Sequence, residues 1–107
     1  MSIKSWFAKE YGSNVKDVNK MMQQIGYTES KNVATAVQKS KGGGEGPGRG
    51  LYQFETKGGS GAFQTALNRT ESLYGNMKEE VPSWITEARK HDDASKLSVS
   101  QQQEVLL

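Results

Sequence analysis

"GGGEGPGRGLYQFE", Gly42–Glu55, places six glycines ahead of a short apolar run that also carries an arginine and a glutamine. Nine of the chain's twelve glycines fall between Gly42 and Gly61, one cluster before Leu51 and a second, "KGGSG", after Glu55. Two turn-forming clusters bracketing "LYQFE" (51–55) predict a short β-hairpin or a loop–strand–loop. Strand pleating would set Tyr52 and Phe54 on the face opposite Leu51 and Gln53.

Outward from this stretch the pattern is helical. Ser13 or Asn14 can cap "VKDVNKMMQQIGYTES" (15–30) with a short polar oxygen. Within it Val15, Val18, Met22, Ile25 and Glu29 recur at intervals of three and four, so a carboxylate continues an apolar stripe. Gly26 costs this helix about 1 kcal/mol relative to alanine, which suggests close packing or an early end. "SKNVATAVQKSK" (30–41) is read either as an extension of the helix or as irregular chain.

Downstream, "SGAFQTALNRTESLYG" (60–75) carries Phe63, Ala66, Leu67 and Tyr74 at helical spacing, with Ser60 as a cap and Gly75 as a stop. "VPSWITEARKH" (81–91) has Pro82 suited to a first turn, an apolar stripe of Val81, Trp84, Ile85 and Ala88, and basic residues at its end. "SVSQQQEVLL" (98–107) reads as a last helix with no capping signal at its end, as in a short chain or a piece of a longer one. The expected fold is mainly α within the α+β class: a small helical domain, residues 1–107, with a short glycine-flanked β-hairpin or strand.

Composition narrows the chemistry. With 107 residues, 34% of them hydrophobic and 24% charged, the chain suits one domain with a modest core. A net charge of +2 with scattered basic residues gives no footprint for nucleic acid. No cysteine and a single histidine, His91, leave no thiol nucleophile and little to hold a metal, so neither metal nor cofactor is expected. No segment approaches the roughly 20 apolar residues of a membrane span, and the first residues have no apolar run of signal-peptide length. The glycines match neither the P-loop nor the dinucleotide spacing, and they follow a helical segment instead of a strand.

Glycine can instead let backbone approach a bulky ligand, while Glu29 supplies the chemistry. A carboxyl at the end of a buried helical face would have its charged form disfavoured by desolvation, which suits a general acid. Glycoside cleavage needs such an acid to protonate the leaving oxygen. The plain alternative is that Glu29 is a solvated residue at a helix end.

"TES" at 28–30 followed by "GRGLYQFE" at 48–55 resembles the lysozyme-like superfamily, specifically the lytic transglycosylase and phage tail lysozyme group, over roughly residues 15–75. In that group a catalytic Glu, often followed by Ser, ends a helix, and a Gly-Leu-x-Gln strand follows after a loop. The resemblance implies Glu29 as acid/base, with Ser30, Gly50, Leu51, Tyr52 and Gln53 as substrate-binding residues of the cleft. The Glu29-to-Gln53 separation is longer than in the transglycosylases, Tyr52 stands where Met is common, and the chain is short for the superfamily.

Glu45 and Glu55 are the candidates for a second carboxylate, acting as nucleophile or as base for water. By the resemblance, a transglycosylase needs none, because the sugar's own hydroxyl closes a 1,6-anhydro ring. The expected activity is cleavage of the β-1,4 bond between N-acetylmuramic acid and N-acetylglucosamine in peptidoglycan. The implied setting is a phage virion, in the tail or internal core, with the protein made in the host cytoplasm and acting at the host cell wall beside other virion proteins. A non-catalytic structural virion protein of lysozyme-like shape, and a glycan-binding module without turnover, are the alternatives.

Overall fold

The structure, a computed structural model, describes all 107 residues. Five helices and a small antiparallel sheet follow the order α1 (Ile3–Glu10), α2 (Val15–Ser30), β1 (Val37–Lys39), β2 (Glu45–Arg49), β3 (Phe54–Glu55), α3 (Ala62–Asn76), α4 (Ser83–His91) and α5 (Val99–Leu106), with a 3₁₀ turn at Ala94–Lys96. The mainly α, α+β class expected from the pattern is the one found.

Helix α1 lies outside the pattern read from the sequence. Ser2 caps it, its Oγ accepting from the Ser5 N–H at 3.1 Å, and Ile3 and Ala8 are its buried residues. Asn14 caps α2, accepting from the Asp17 N–H at 2.9 Å, and Asp17 adds a negative charge in the first turn where the helix dipole favours it.

Gly26 does not end α2. It lies inside the helix, and a Cβ there would meet the Asn32 Oδ1 at 2.4 Å and the Tyr52 ring at 3.5 Å. The missing side chain is the space in which Asn32 and Tyr52 pack. The helix stops four residues later. Ser30 Oγ donates to the Gly26 carbonyl and accepts from the Val33 N–H, both at 3.1 Å. Lys31 and Asn32 then take φ values of 54° and 61° and turn the chain back. Residues 30–41, read as helix or irregular chain, in fact supply β1.

The three strands pair antiparallel in the order β1-β2-β3. Val37 pairs with Arg49 and Lys39 with Glu45, an irregular register. Pro47 lies within this stretch, where its missing N–H cannot break a regular ladder. Gly46 and Gly48 leave a trough that the Gln38 side chain fills; a Cβ on Gly46 would sit 2.8 Å from its Oε1, and that oxygen accepts from the Gly48 N–H at 2.9 Å. The glycines of β2 are therefore buried packing positions, and within the cluster before Leu51 only Gly42–Gly44 at the hairpin tip are exposed.

Of the two readings of this stretch, the hairpin is found, and the strand over "LYQFE" needs correction. Gly50–Gln53 is a turn, closed by the Gln53 N–H to the Gly50 carbonyl at 3.2 Å, and the strands lie on either side of it. The turn breaks the pleat, so Leu51 and Tyr52 are both buried.

Helix α3 is the centre of the core and packs on α4, α5 and β3. Phe63, Leu67, Ile85 and Val105 are completely buried, each worth roughly 1.5–3 kcal/mol on transfer from water. Gly61, in place of Ser60, takes the α3 cap position, and Gly75 lies inside the helix, which runs to Asn76. Pro82 precedes α4 as its cap residue. A reciprocal capping box between Ser98 and Gln101 starts α5. Its end is capped from a distance: Arg69 on α3 donates to the carbonyls of Val105 and Leu106 at 2.8 and 3.2 Å.

No helix is long and apolar enough to cross a membrane.

Candidate functional site

Glu29 stands in the last turn of α2. It comes seven residues after Met22 and eleven after Val18, which at 3.6 residues per turn puts all three within a narrow angular sector of the helix. Val18 and Met22 are buried to 3% and 1% exposure, whereas Glu29 is exposed. The stripe read from the sequence is real, but the core ends before Glu29 does. The carboxyl therefore lies in water and not on a buried face. Its carboxylate enters none of the ion pairs of the chain, so its oxygens are open to a ligand.

The Gly50–Gln53 turn is held from three sides. Leu51 N–H donates to the Oε1 of buried Gln102 at 2.7 Å. Gln53 Nε2 donates to the Gly50 carbonyl at 2.8 Å and to the Ala36 carbonyl at 3.4 Å. The Gly50 N–H donates to the same Ala36 carbonyl at 2.8 Å. Gln53 adopts φ 53° and Gly50 φ 78°, and a Cβ on Gly50 would lie 2.3 Å from the Gln102 Oε1. Here glycine is required on both counts.

The candidate cleft residues thus have internal tasks. Ser30 terminates α2, Leu51 and Tyr52 face the core, and Gln53 uses its amide nitrogen to seal its own turn. Burial raises the Tyr52 phenol above its usual value, which keeps it neutral. The ring meets Phe54 edge-on with centroids 6.2 Å apart.

The two further carboxylates lie on the sheet. Glu45 is exposed and pairs with Arg49 at 3.4 Å, and it borders a polar hollow of about 270 Å³ with Pro47, Arg49 and Thr56. Glu55 Oε1 accepts from the Ser60 N–H at 2.9 Å. That backbone bond, followed by one from the Ser60 hydroxyl, holds its carboxyl below the usual range. Glu29, Glu45 and Glu55 share no groove.

Two grooves adjoin the turn and α2. One, of about 340 Å³, is lined by Met22, Gln23, Asn32, Leu51, Tyr52, Val99 and Gln103. The other, of about 590 Å³ and shallower, is lined by Lys20, Gln23, Gln24, Tyr27, Thr28 and Asn32. Gln23 and Asn32 belong to both. Sequence reasoning found Leu51 and Tyr52 but missed Gln102, Asn32 and Gln23. The signal for Gln102 is its place three residues before Val105 on the inner face of α5, which the run "QQQ" conceals.

Compared with models of protein families, with curated proteins and with solved structures, the chain has no match in any of the three.

Proposed function

We propose that this chain is a peptidoglycan-cleaving domain of the phage lysozyme and lytic transglycosylase kind, acting on the β-1,4 bond between N-acetylmuramic acid and N-acetylglucosamine, with Glu29 as general acid/base. The observation that carries the reading is the position of Glu29: on the core-facing line of α2, beyond the end of the core, unpaired, and followed by a hairpin and the braced Gly50–Gln53 turn. In this reading Glu29 protonates the bridging oxygen as the glycosidic bond opens. The product is then either a 1,6-anhydro end closed by the sugar's own hydroxyl or a reducing end from hydrolysis assisted by Glu45 or Glu55.

The test is digestion of purified peptidoglycan by the wild-type protein and by Glu29→Gln, with the fragments identified by mass. Anhydro-ended fragments from the wild type and none from the variant support the reading; reducing ends turn attention to Glu45 and Glu55. A folded wild-type protein that releases nothing overturns it.

A second reading, a structural virion protein of the tail or internal core without turnover, is favoured by the internal use of Ser30 and Gln53 and by the absence of Glu29 from every groove. Many copies per particle and no fragment release are its expected results.

A further inference from the structure

The side-chain amides of the chain divide into two groups. Gln38, Gln53, Gln64, Gln101 and Gln102 all bond within the protein. The other three glutamines, Gln23, Gln24 and Gln103, line the two adjoining grooves together with Asn32. The buried Asn19 Oδ1, which lacks a partner, lies one turn before Gln23 on α2.

Tyr27 adds a ring that is 63% exposed. Two residues before Glu29, it projects about 200° around the helix, on the opposite side from the acid. In a chain of which 24% is charged, the two grooves hold one charged residue, Lys20, and no carboxylate.

From this we infer that the outer face of α2, centred on Gln23, Gln24 and Tyr27, together with Asn32 in the turn that follows the helix, is a non-catalytic binding surface for a glycan bearing acetamido groups, continuous through Gln23 and Asn32 with the groove at the Leu51–Tyr52 turn. Each amide offers both donors and an acceptor, which matches acetamido and hydroxyl groups on one ligand. The exposed Tyr27 ring offers an apolar face to a sugar ring while its hydroxyl stays wet.

An extended peptide fits less well. It would need an open strand edge, and the backbone of α2 is already bonded within the helix; an amphipathic helix would need several apolar anchors, and the shallow groove has one. One lysine is too few for a nucleic-acid backbone. The inference deepens the cleavage reading by giving the glycan strand a second hold away from Glu29, yet the binding itself does not require turnover.

The experiment is a titration of the isotope-labelled protein with tetra-N-acetylchitotetraose, followed by amide NMR, in the wild type, Glu29→Gln and the double variant Gln23→Ala/Tyr27→Ala. The expected result is shift changes at Gln23, Gln24, Tyr27, Thr28 and Asn32, preserved in Glu29→Gln and at least tenfold weaker in the double variant. These residues are exposed, and an unchanged spectrum elsewhere in the double variant reports its fold. No binding, shifts confined to Glu29 and Gly50–Gln53, or an equal response to an uncharged peptide of matching length overturns the inference. Fragment release is measured separately: saccharide binding on α2 without fragments sinks the cleavage reading alone, and fragments without binding on α2 sink this one alone.

Discussion

Leu51 and Gln102 are joined by a 2.7 Å hydrogen bond from the Leu51 backbone N–H to the Gln102 side-chain oxygen, across 51 positions of sequence. The same amide donates at 3.0 Å to the Ala34 and Leu97 carbonyls. One residue of α5 thus fixes the central turn, the chain leading into β1, and the entry to its own helix. Replacing it with leucine keeps the volume and orphans three backbone groups. Gln102→Leu is expected to cost about 3 kcal/mol or more, read as a lower midpoint of urea unfolding with an unchanged slope.

Gly50→Ala attacks the same junction from the other side. The new methyl would meet the Gln102 amide and would require a φ near 78° that alanine resists. A loss of at least about 2 kcal/mol is expected. Combined with Gln102→Leu the losses should fall short of additive, because the two changes break one junction. A double-mutant cycle by urea unfolding checks this.

Gly26→Ala should behave differently. The atom in the way is the tip of the flexible Asn32 side chain, which can swing aside, and alanine gains about 1 kcal/mol of helix propensity over glycine. Thermal stability is expected to hold or rise, while the Asn32 amide leaves its place between the two grooves and saccharide binding on α2 weakens. Melting curves and the NMR titration separate the two effects.

Acid and base should act on α5 in a defined sense. Burial raises the Glu104 carboxyl above its usual 4.5, opposed by a hydrogen bond from Tyr74 and the charge of Lys4. Folding therefore favours its protonated form, and this contribution, full below the unfolded-state value, is lost as pH rises through the folded-state value. Tyr74 O–H donates to Glu104 at 2.9 Å; burial, then that bond and the neighbouring charge, raise its phenol too. Its contribution is lost only above pH 10, as the folded phenol ionises. Glu55 runs the opposite way: lowered by the Ser60 backbone bond, it gives stability above the unfolded-state value that is lost as pH falls through the folded-state value. Glu104→Gln, which keeps an acceptor for Tyr74, should raise stability at pH 7 by about 0.5 kcal/mol, a small gain because the group is half in solvent. It should also remove the Glu104 contribution, which wanes with rising pH above the usual carboxylate value, from unfolding curves taken as a function of pH.

Glu29→Gln should leave stability within about 0.5 kcal/mol of wild type, since the exposed carboxylate pairs with nothing in the chain. A melting curve that coincides with wild type would assign any loss of fragment release to chemistry instead of folding.

Much of the fold was legible because helical periodicity and caps are local. The stripe Val18, Met22 and Ile25, the Asn14 cap and the apolar face of α3 follow from spacing alone. Helix α1 was not, because two buried residues in eight leave a weak stripe. β1 was not, because "VQK" is too short to show alternation, and its pairing depends on Gly46 and Gly48, which lie beyond an intervening loop. The turn at Gly50–Gln53 was mistaken for strand because its brace, Gln102, comes from another element. For the candidate site, position along the chain was readable and exposure was not: Glu29 looked buried because its angular place on α2 is that of Met22, while the end of the core is a tertiary fact.

The brace at Gln102 also sets an order of events during synthesis. At about 5–20 residues per second the ribosome would make Gln102 roughly 3–10 s after Leu51. Throughout that interval the Leu51 N–H and the Ala34 carbonyl lack their anchor, although Gln38 is already there to fill the glycine trough of β2. The native form of this turn can therefore be completed only once α5 is made, and a pause in translation between the two residues would lengthen the delay.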